Sequence, residues 1–271
     1  MNDVPSPRPV HDLTVVSTER LTRTMVRVDF AGETIATFPD TAVPGADAGF
    51  TDTYVKLRFG DVVRAYTLRS VDREGGRLTI DFVVHGDHGV AGPWAAAAQP
   101  GDRISCLHPG GEWAPRPSAD AHLLVGDEAA FPAIGSALEV LLAARPDATA
   151  LVFAEVEQPG DEYPFATGPG VDIRWVYRDG GAYGAQLVAE VLAHGWPGGD
   201  VEGFVHGNAE MVRPVRRYLL RDIGMPRQNL SISGYWRAGH TDEAWRAVKK
   251  EFNALMEQES SGKERITSGR R

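Results

Sequence analysis

The sequence predicts two domains of different architecture, an antiparallel β-barrel over residues 1–118 and an α/β unit with a parallel sheet over residues 119–271. Three observations carry this. Six short runs with alternating or β-branched composition lie in the first part of the chain, separated by Gly, Pro and Asp. A stretch dense in Pro, Gly and small polar residues follows at 109–120 (PGGEWAPRPSAD), the composition of a crossover between domains. Beyond it, apolar strands alternate with helical segments, the pattern of a parallel sheet covered by helices on both faces. A chain of 271 residues is long enough to bury cores for both.

The barrel strands are read at 14–19, 24–30, 52–59, 62–71, 77–86 and 102–108. In the second unit HLLVGD (122–127) is a short apolar strand, and EAAFPAIGSALEVLLAARP (128–146) is a helix that Pro146 ends. TALVFAEV (149–156), VDIRWVY (171–177), a helix over about 184–194, GFVHG (203–207), a helix over 209–223 and LSISGYW (230–236) continue the alternation. A final helix is expected over 241–257, with Thr241 as N-cap and Asp242 and Glu243 in the first turn, where the helix dipole favours negative charge. Trp245, Val248, Phe252, Leu255 and Met256 recur at helical spacing, so this helix reads as an amphipathic cap packed on the protein. The terminal SSGKERITSGRR is polar and aperiodic and is expected to fray.

Composition narrows the function classes. With 37 acidic and 28 basic side chains, a formal net charge of −9, the chain has no global attraction for nucleic acid or an anionic membrane surface. Cys106 is the only cysteine, which rules out an internal disulfide and a cysteine-ligated iron–sulfur cluster. Redox chemistry would therefore need an organic cofactor. Neither a signal-peptide core nor a membrane-length apolar run is present, so a cytoplasmic location without stable membrane insertion is expected. No His/Cys/carboxylate group has metal-site spacing, and there is no nucleophile elbow or P-loop.

The residues that carry chemistry begin at Arg64-Ala65-Tyr66-Thr67-Leu68-Arg69. Strand alternation sets Arg64, Tyr66 and Leu68 against Ala65, Thr67 and Arg69. A flavin needs an aromatic ring beside its own, a hydroxyl or amide near its reactive nitrogen and cations for its pyrophosphate, and this hexapeptide holds all three. Alone, the same residues also describe an exposed ladder. The next strand, however, runs from Asp81 through His85 into the glycine-rich loop GDHGVAGPW, whose backbone amides can meet a phosphate.

These segments resemble the siderophore-interacting proteins, FAD-containing ferric-siderophore reductases related to the ferredoxin–NADP reductase superfamily. The resemblance runs from about Val10 to Lys250 and rests on RAYTLR (64–69), DFVVHGDHGVAGPWA (81–95), QPGD (99–102), GDEAAFPAI (126–134) and GYWRAGHTDEAWR (234–246), in the family's order. It implies that Arg64, Tyr66 and Thr67 hold the FAD, with Thr67 near the reactive nitrogen as the catalytic position. Asp81, Val83 and His85 would line the same pocket. Ala91, Gly92 and Trp94 would form the phosphate loop, and Asp127 and Ala129 would border the cofactor. The loop departs from the usual pattern, with Val90 and Gly92 at positions commonly proline and serine. Ala129 replaces a usual threonine, and His206-Gly207-Asn208 stands where Gly-Glu is more common.

The first turn of the second domain is Gly126-Asp127-Glu128 and not the Gly-x-Gly-x-x-Gly of a dinucleotide cradle. Arg178 and Asn208, after later strands, are instead the candidates for NADPH or NADH, and a ferredoxin donor stays open. For an anionic ferric siderophore the resemblance implies a basic pocket of Lys56, Arg237, Arg246, Lys249 and Lys250. Arg246 shares a helix face with Lys249 and Lys250. The expected function is transfer of electrons from NAD(P)H through FAD to Fe(III)-siderophore, releasing Fe(II). The alternatives are a siderophore-binding protein without catalysis and a flavin reductase with a protein or free-flavin acceptor.

Overall fold

The computed structural model describes residues 9–39, 49–84, 89–195 and 198–260. His85 and the C-terminal tail beyond residue 260, both singled out in the sequence, lie outside them.

The first domain is an antiparallel sheet of seven strands: β1 Val10–Thr22, β2 Met25–Ala31, β3 Tyr54–Phe59, β4 Val62–Thr67, β5 Ser70–Asp72, β6 Arg77–Val83 and β7 Arg103–Gly110, in the order β4-β3-β7-β1-β2-β6-β5. The strands at the two ends of this order, β4 and β5, are consecutive in the chain. The corner between them is tied to both sides, Leu68 N donating to Thr53 O at 2.7 Å and Arg69 N to Thr79 O at 2.8 Å. That corner rolls the sheet into a barrel-like body. Inward positions of the alternating strands, among them Val28, Phe30, Val55, Leu57, Ile80 and Phe82, form its core. A short helix, α1 (Ala91–Ala97), covers one end.

The second domain is a parallel sheet of β8 Ala121–Asp127, β9 Ala150–Val156, β10 Val171–Tyr177, β11 Val201–Asn208 and β12 Leu230–Trp236, in the order β10-β9-β8-β11-β12. Side-chain alternation gives it two buried faces. Leu124, Val152 and Phe204 pack against α2 (Phe131–Ala144) together with Met25 of the barrel. Leu123, Phe153 and Val205 face α3 (Ala185–His194), α4 (Ala209–Arg217) and α5 (Asp242–Ser260). The chain builds outward from β8 to β10 and then returns to β11, so the strand order reverses between β8 and β11. Ligands of open α/β sheets bind at the carboxyl ends of strands beside such a reversal.

Several expected boundaries are corrected. The strand expected over 62–71 is two strands, because the closing corner falls at Leu68–Arg69. The strand expected over 77–86 ends at Val83. The helix expected from 128 starts at Phe131, since Asp127 O accepts from Ala130 N in a preceding turn. The helix over 209–223 is α-helical only to Arg217 and then widens into a π turn, Tyr218–Asp222.

Candidate functional site

The carboxyl edge of the parallel sheet faces the barrel, and the expected site residues fall into groups along that boundary. The first surrounds strand β4. Tyr66 packs its ring 4.5 Å from that of Phe82, and burial raises its phenol pKa. Thr67 is 9% exposed as a residue, and its hydroxyl makes no hydrogen bond to a described residue. Arg64 reaches the start of α5, where it meets Glu243 at 2.5 and 3.3 Å and Asp242 at 3.5 Å. Arg246 donates to Val63 O at 3.2 Å and pairs with Asp242 at 2.7 Å. Lys249, one turn further on, is half-buried; desolvation lowers its pKa, opposed by Asp242. The start of α5 therefore brings Arg64, Tyr66, Arg246 and Lys249 together, with the expected N-cap in place: Thr241 Oγ1 accepts from Ala244 N at 3.2 Å.

The second group occupies the crevice where strand order reverses. Asp127, 2% exposed, accepts from Ala129 N at 3.0 Å, Asn208 N at 2.7 Å and Trp236 Nε1 at 2.9 Å, tying the ends of β8, β11 and β12 together. Burial, and then the neighbouring Glu128 carboxylate, push its pKa up to about 7 despite those donors. Gly207, at φ 135°, makes room for this carboxylate, since a Cβ there would lie 2.7 Å from it. Asn208 caps α4 through Oδ1, and its buried Nδ2 has no partner among the described residues. His206 stacks on Phe204 at 3.9 Å; burial, then the charge of Lys249, lower its pKa to about 3 and keep it neutral.

Other expected residues have structural partners. Asp81 is buried, pairs with Arg27 at 2.7 and 2.9 Å and accepts from the Tyr163 hydroxyl. Tyr163 also accepts from Arg69 at 3.0 Å, and Arg69 pairs with Glu139 of α2, so this network bridges the domains. Val83 is half-buried against the second domain's core. Trp94 lies among the barrel aromatics, 5.7 Å from Phe59 and 5.9 Å from Phe82, while Ala91 is buried and Gly92 half-buried in the first turn of α1. A side chain at Gly92 would crowd Val83 O at 3.2 Å, so the residue lets α1 approach β6.

Arg178 is 4% exposed and is held by three carboxylates, Glu128 at 2.5 Å, Glu157 at 3.1 Å and Glu155 at 3.3 Å, with the Tyr183 ring 4.5 Å from its guanidinium. An anion would have to displace one of them to reach it. Of the remaining cations, Arg237 pairs with Glu210 at 2.7 Å, Lys56 is half-buried on β3 opposite Ala65, and Lys250 is exposed. No sequence pattern pointed to the pairings of Tyr163 with Asp81, Glu128 with Arg178 or Glu243 with Arg64, because each spans a long sequence separation.

The donor set of β4 fits a phosphorylated flavin: an aromatic ring, a hydroxyl without a hydrogen-bond partner among the described residues, and an arginine 21% exposed at its side chain. Among the described residues no cluster of three or more His, Cys, Asp or Glu is arranged to hold a metal, and no helix is long and apolar enough to cross a membrane.

Comparison with known proteins bears on the family and the fold. The siderophore-interacting FAD-binding domain matches residues 60–113, and the siderophore-interacting protein domain matches residues 119–239. An uncharacterised protein of Mycobacterium tuberculosis is 40% identical over 282 residues, covering 90% of this chain and 96% of its own. Ferric vibriobactin reductase ViuB of Vibrio cholerae is 29% identical, covering 91% of this chain and 95% of its own. The crystal structure of a siderophore utilization protein from T. fusca superposes with a TM-score of 0.73 at 31% identity, over 87% of this chain and 95% of that one. The fold extends to solved ferredoxin reductases. With barrel, parallel sheet and sequence all in agreement, this chain belongs to the siderophore-interacting protein family.

Proposed function

We propose that the protein is a cytoplasmic, FAD-dependent reductase that passes electrons from NAD(P)H to a ferric siderophore and releases the iron as Fe(II). The observation that supports the reading is the cluster where β4 meets the start of α5: the Arg64 guanidinium and the Tyr66 ring share one strand face beside the Arg246 and Lys249 cations, with Thr67 the next residue along the strand. When bound, FAD supplies the conversion of a two-electron donation into two one-electron deliveries. Arg64 binds phosphate, Tyr66 covers the ring, and Thr67 offers its hydroxyl near the reactive nitrogen. Arg246 and Lys249 attract an anionic chelate. Fe(II) binds the hard oxygen ligands of a siderophore far more weakly than Fe(III), so reduction frees the metal without a protein ligand to take it.

The nicotinamide side is proposed at the crevice, where Asn208 Nδ2 is a buried donor without a partner among the described residues, as is the neighbouring His206 Nδ1. The engagement of Arg178 by three carboxylates leaves NADH, NADPH and a ferredoxin as donors to be compared directly. The test is spectroscopic. The purified protein is expected to be yellow, to bleach on anaerobic addition of its donor and to recover its colour on adding ferric siderophore. Unchanged reduced-flavin absorbance after that last addition would remove the siderophore as acceptor, and a colourless preparation would favour a binding protein.

A further inference from the structure

Arg64 is expected to hold the phosphates of the flavin, yet its side chain is already bound end-on by a residue from the other domain. A guanidinium has five N–H donors. In Arg64 one Nη1 hydrogen goes to Val63 O at 3.0 Å, the other to Glu243 Oε1 at 2.5 Å, and one Nη2 hydrogen to Glu243 Oε2 at 3.3 Å. The two donors that meet no acceptor among the described residues, Nε–H and the second Nη2–H, are parallel neighbours and form the side-on fork that matches two oxygens of a phosphate.

We propose that Glu243 is a positioning residue for cofactor binding: from the first turn of α5 it fixes the Arg64 guanidinium end-on, so that the side-on fork is presented to a flavin phosphate. The inference rests on the reading of the barrel as the flavin site. Asp242, 3.5 Å from Arg64 and 2.7 Å from Arg246, joins the same cluster, and the two arginines balance the two carboxylates. With Lys249 beside Asp242 and Arg246 the cluster keeps one net positive charge, so the pairing with Glu243 leaves it attractive to a phosphate.

A detachable gate is the competing explanation, with Glu243 leaving when the cofactor arrives. The rest of α5 argues against it. Trp245, Phe252 and Met256 are buried at 2, 7 and 4% exposure, and Trp245 Nε1 donates to Gly234 O at 3.3 Å. Further along, Arg216 pairs with Glu257 at 2.7 Å, and Arg213 pairs with Glu259. A helix anchored along its length holds its first turn in place, so Glu243 works as a strut and not as a latch. Long flexible arginines lose rotamer entropy when ordered, and a prepaired arginine has lost part of that before a ligand binds.

The test separates geometry from charge. Glu243→Asp keeps the charge and shortens the reach by one methylene. Dissociation constants of wild type and variant are measured for FAD, FMN and riboflavin, which share the ring and differ in phosphate. The expected result is a rise of about five-fold in Kd for FAD and FMN, the scale of one partly exposed charge-assisted contact, with riboflavin unchanged. In an Arg64→Lys background, which lacks the fork, the same substitution should have no further effect. Unchanged or tighter FAD and FMN binding would support the latch and overturn the strut. Equal weakening for riboflavin would reduce Glu243 to a structural role. Failure of the wild type to bind any of the three would instead overturn the flavin reading, and this inference with it.

Discussion

The hydroxyl of Tyr163, carried on the loop between β9 and β10, donates to the carboxylate of Asp81 on barrel strand β6. The same oxygen accepts from Arg69 and, at 3.4 Å, from Arg27. A phenol thus sits between a buried acid and two cations, joining the domains whose boundary contains the proposed site. Tyr163→Phe would leave the buried Asp81 and Arg69 short of a partner while preserving the ring contacts. We expect a loss of unfolding free energy of about 1–3 kcal/mol in urea titration. A variant as stable as wild type would show that the network contributes little to domain docking.

Asp127 gives the protein a pH dependence of defined sign. Its folded-state pKa is about 7 against an ordinary 3.8, so between these values the folded chain keeps a proton that the unfolded chain has released. Its contribution favours the folded state below the ordinary pKa and declines as pH rises toward 7, at about 1.4 kcal/mol for each pH unit in that window. Asp127→Asn is neutral throughout. Denaturation series at several pH values should therefore show wild type losing stability relative to the variant between the two pKa values. Parallel curves would contradict the raised pKa.

Thr67→Val is close in shape and removes the hydroxyl that no described residue uses. The melting temperature is expected to change little, while the rate of flavin reduction by the donor falls about ten-fold, the scale of one lost transition-state hydrogen bond. Stopped-flow absorbance under anaerobic conditions reads the rate. An unaltered rate would move the reactive nitrogen away from Thr67.

Lys249→Gln removes a half-buried cation next to Asp242 and Arg246. The protein should stay yellow, and the apparent KM for an anionic ferric chelate should rise several-fold with kcat nearly constant, as expected when ground-state and transition-state binding weaken together. Intact acceptor kinetics would require the basic pocket to lie elsewhere.

Much of the fold was legible because its cores follow simple periods. The strands of both domains alternate or run apolar as their burial requires, and Pro146 lies just beyond α2, which ends at Ala144. The corner at Leu68–Arg69 was not legible, since a barrel closes there without any glycine or proline to mark it. Asp242 and Glu243 were read through the helix dipole alone. Their pairing with Arg64 bridges 178 and 179 residues and leaves no local pattern. Arg178 read as a loop cation for the same reason, because Glu128 and Glu155 approach it only through the parallel pairing of β8, β9 and β10.

The Val63 carbonyl has one more consequence. β4 ends its strand order, and an unsatisfied backbone at a sheet margin is a template on which a second chain can add a strand. Arg246 and Arg64 occupy that oxygen. A protein truncated ahead of α5 would uncover it along with the valine-rich margin of Val62 and Val63, and is expected to self-associate in light scattering where the full chain does not. Equal scattering from the truncated and full chains would show that α5 gives this margin no such protection.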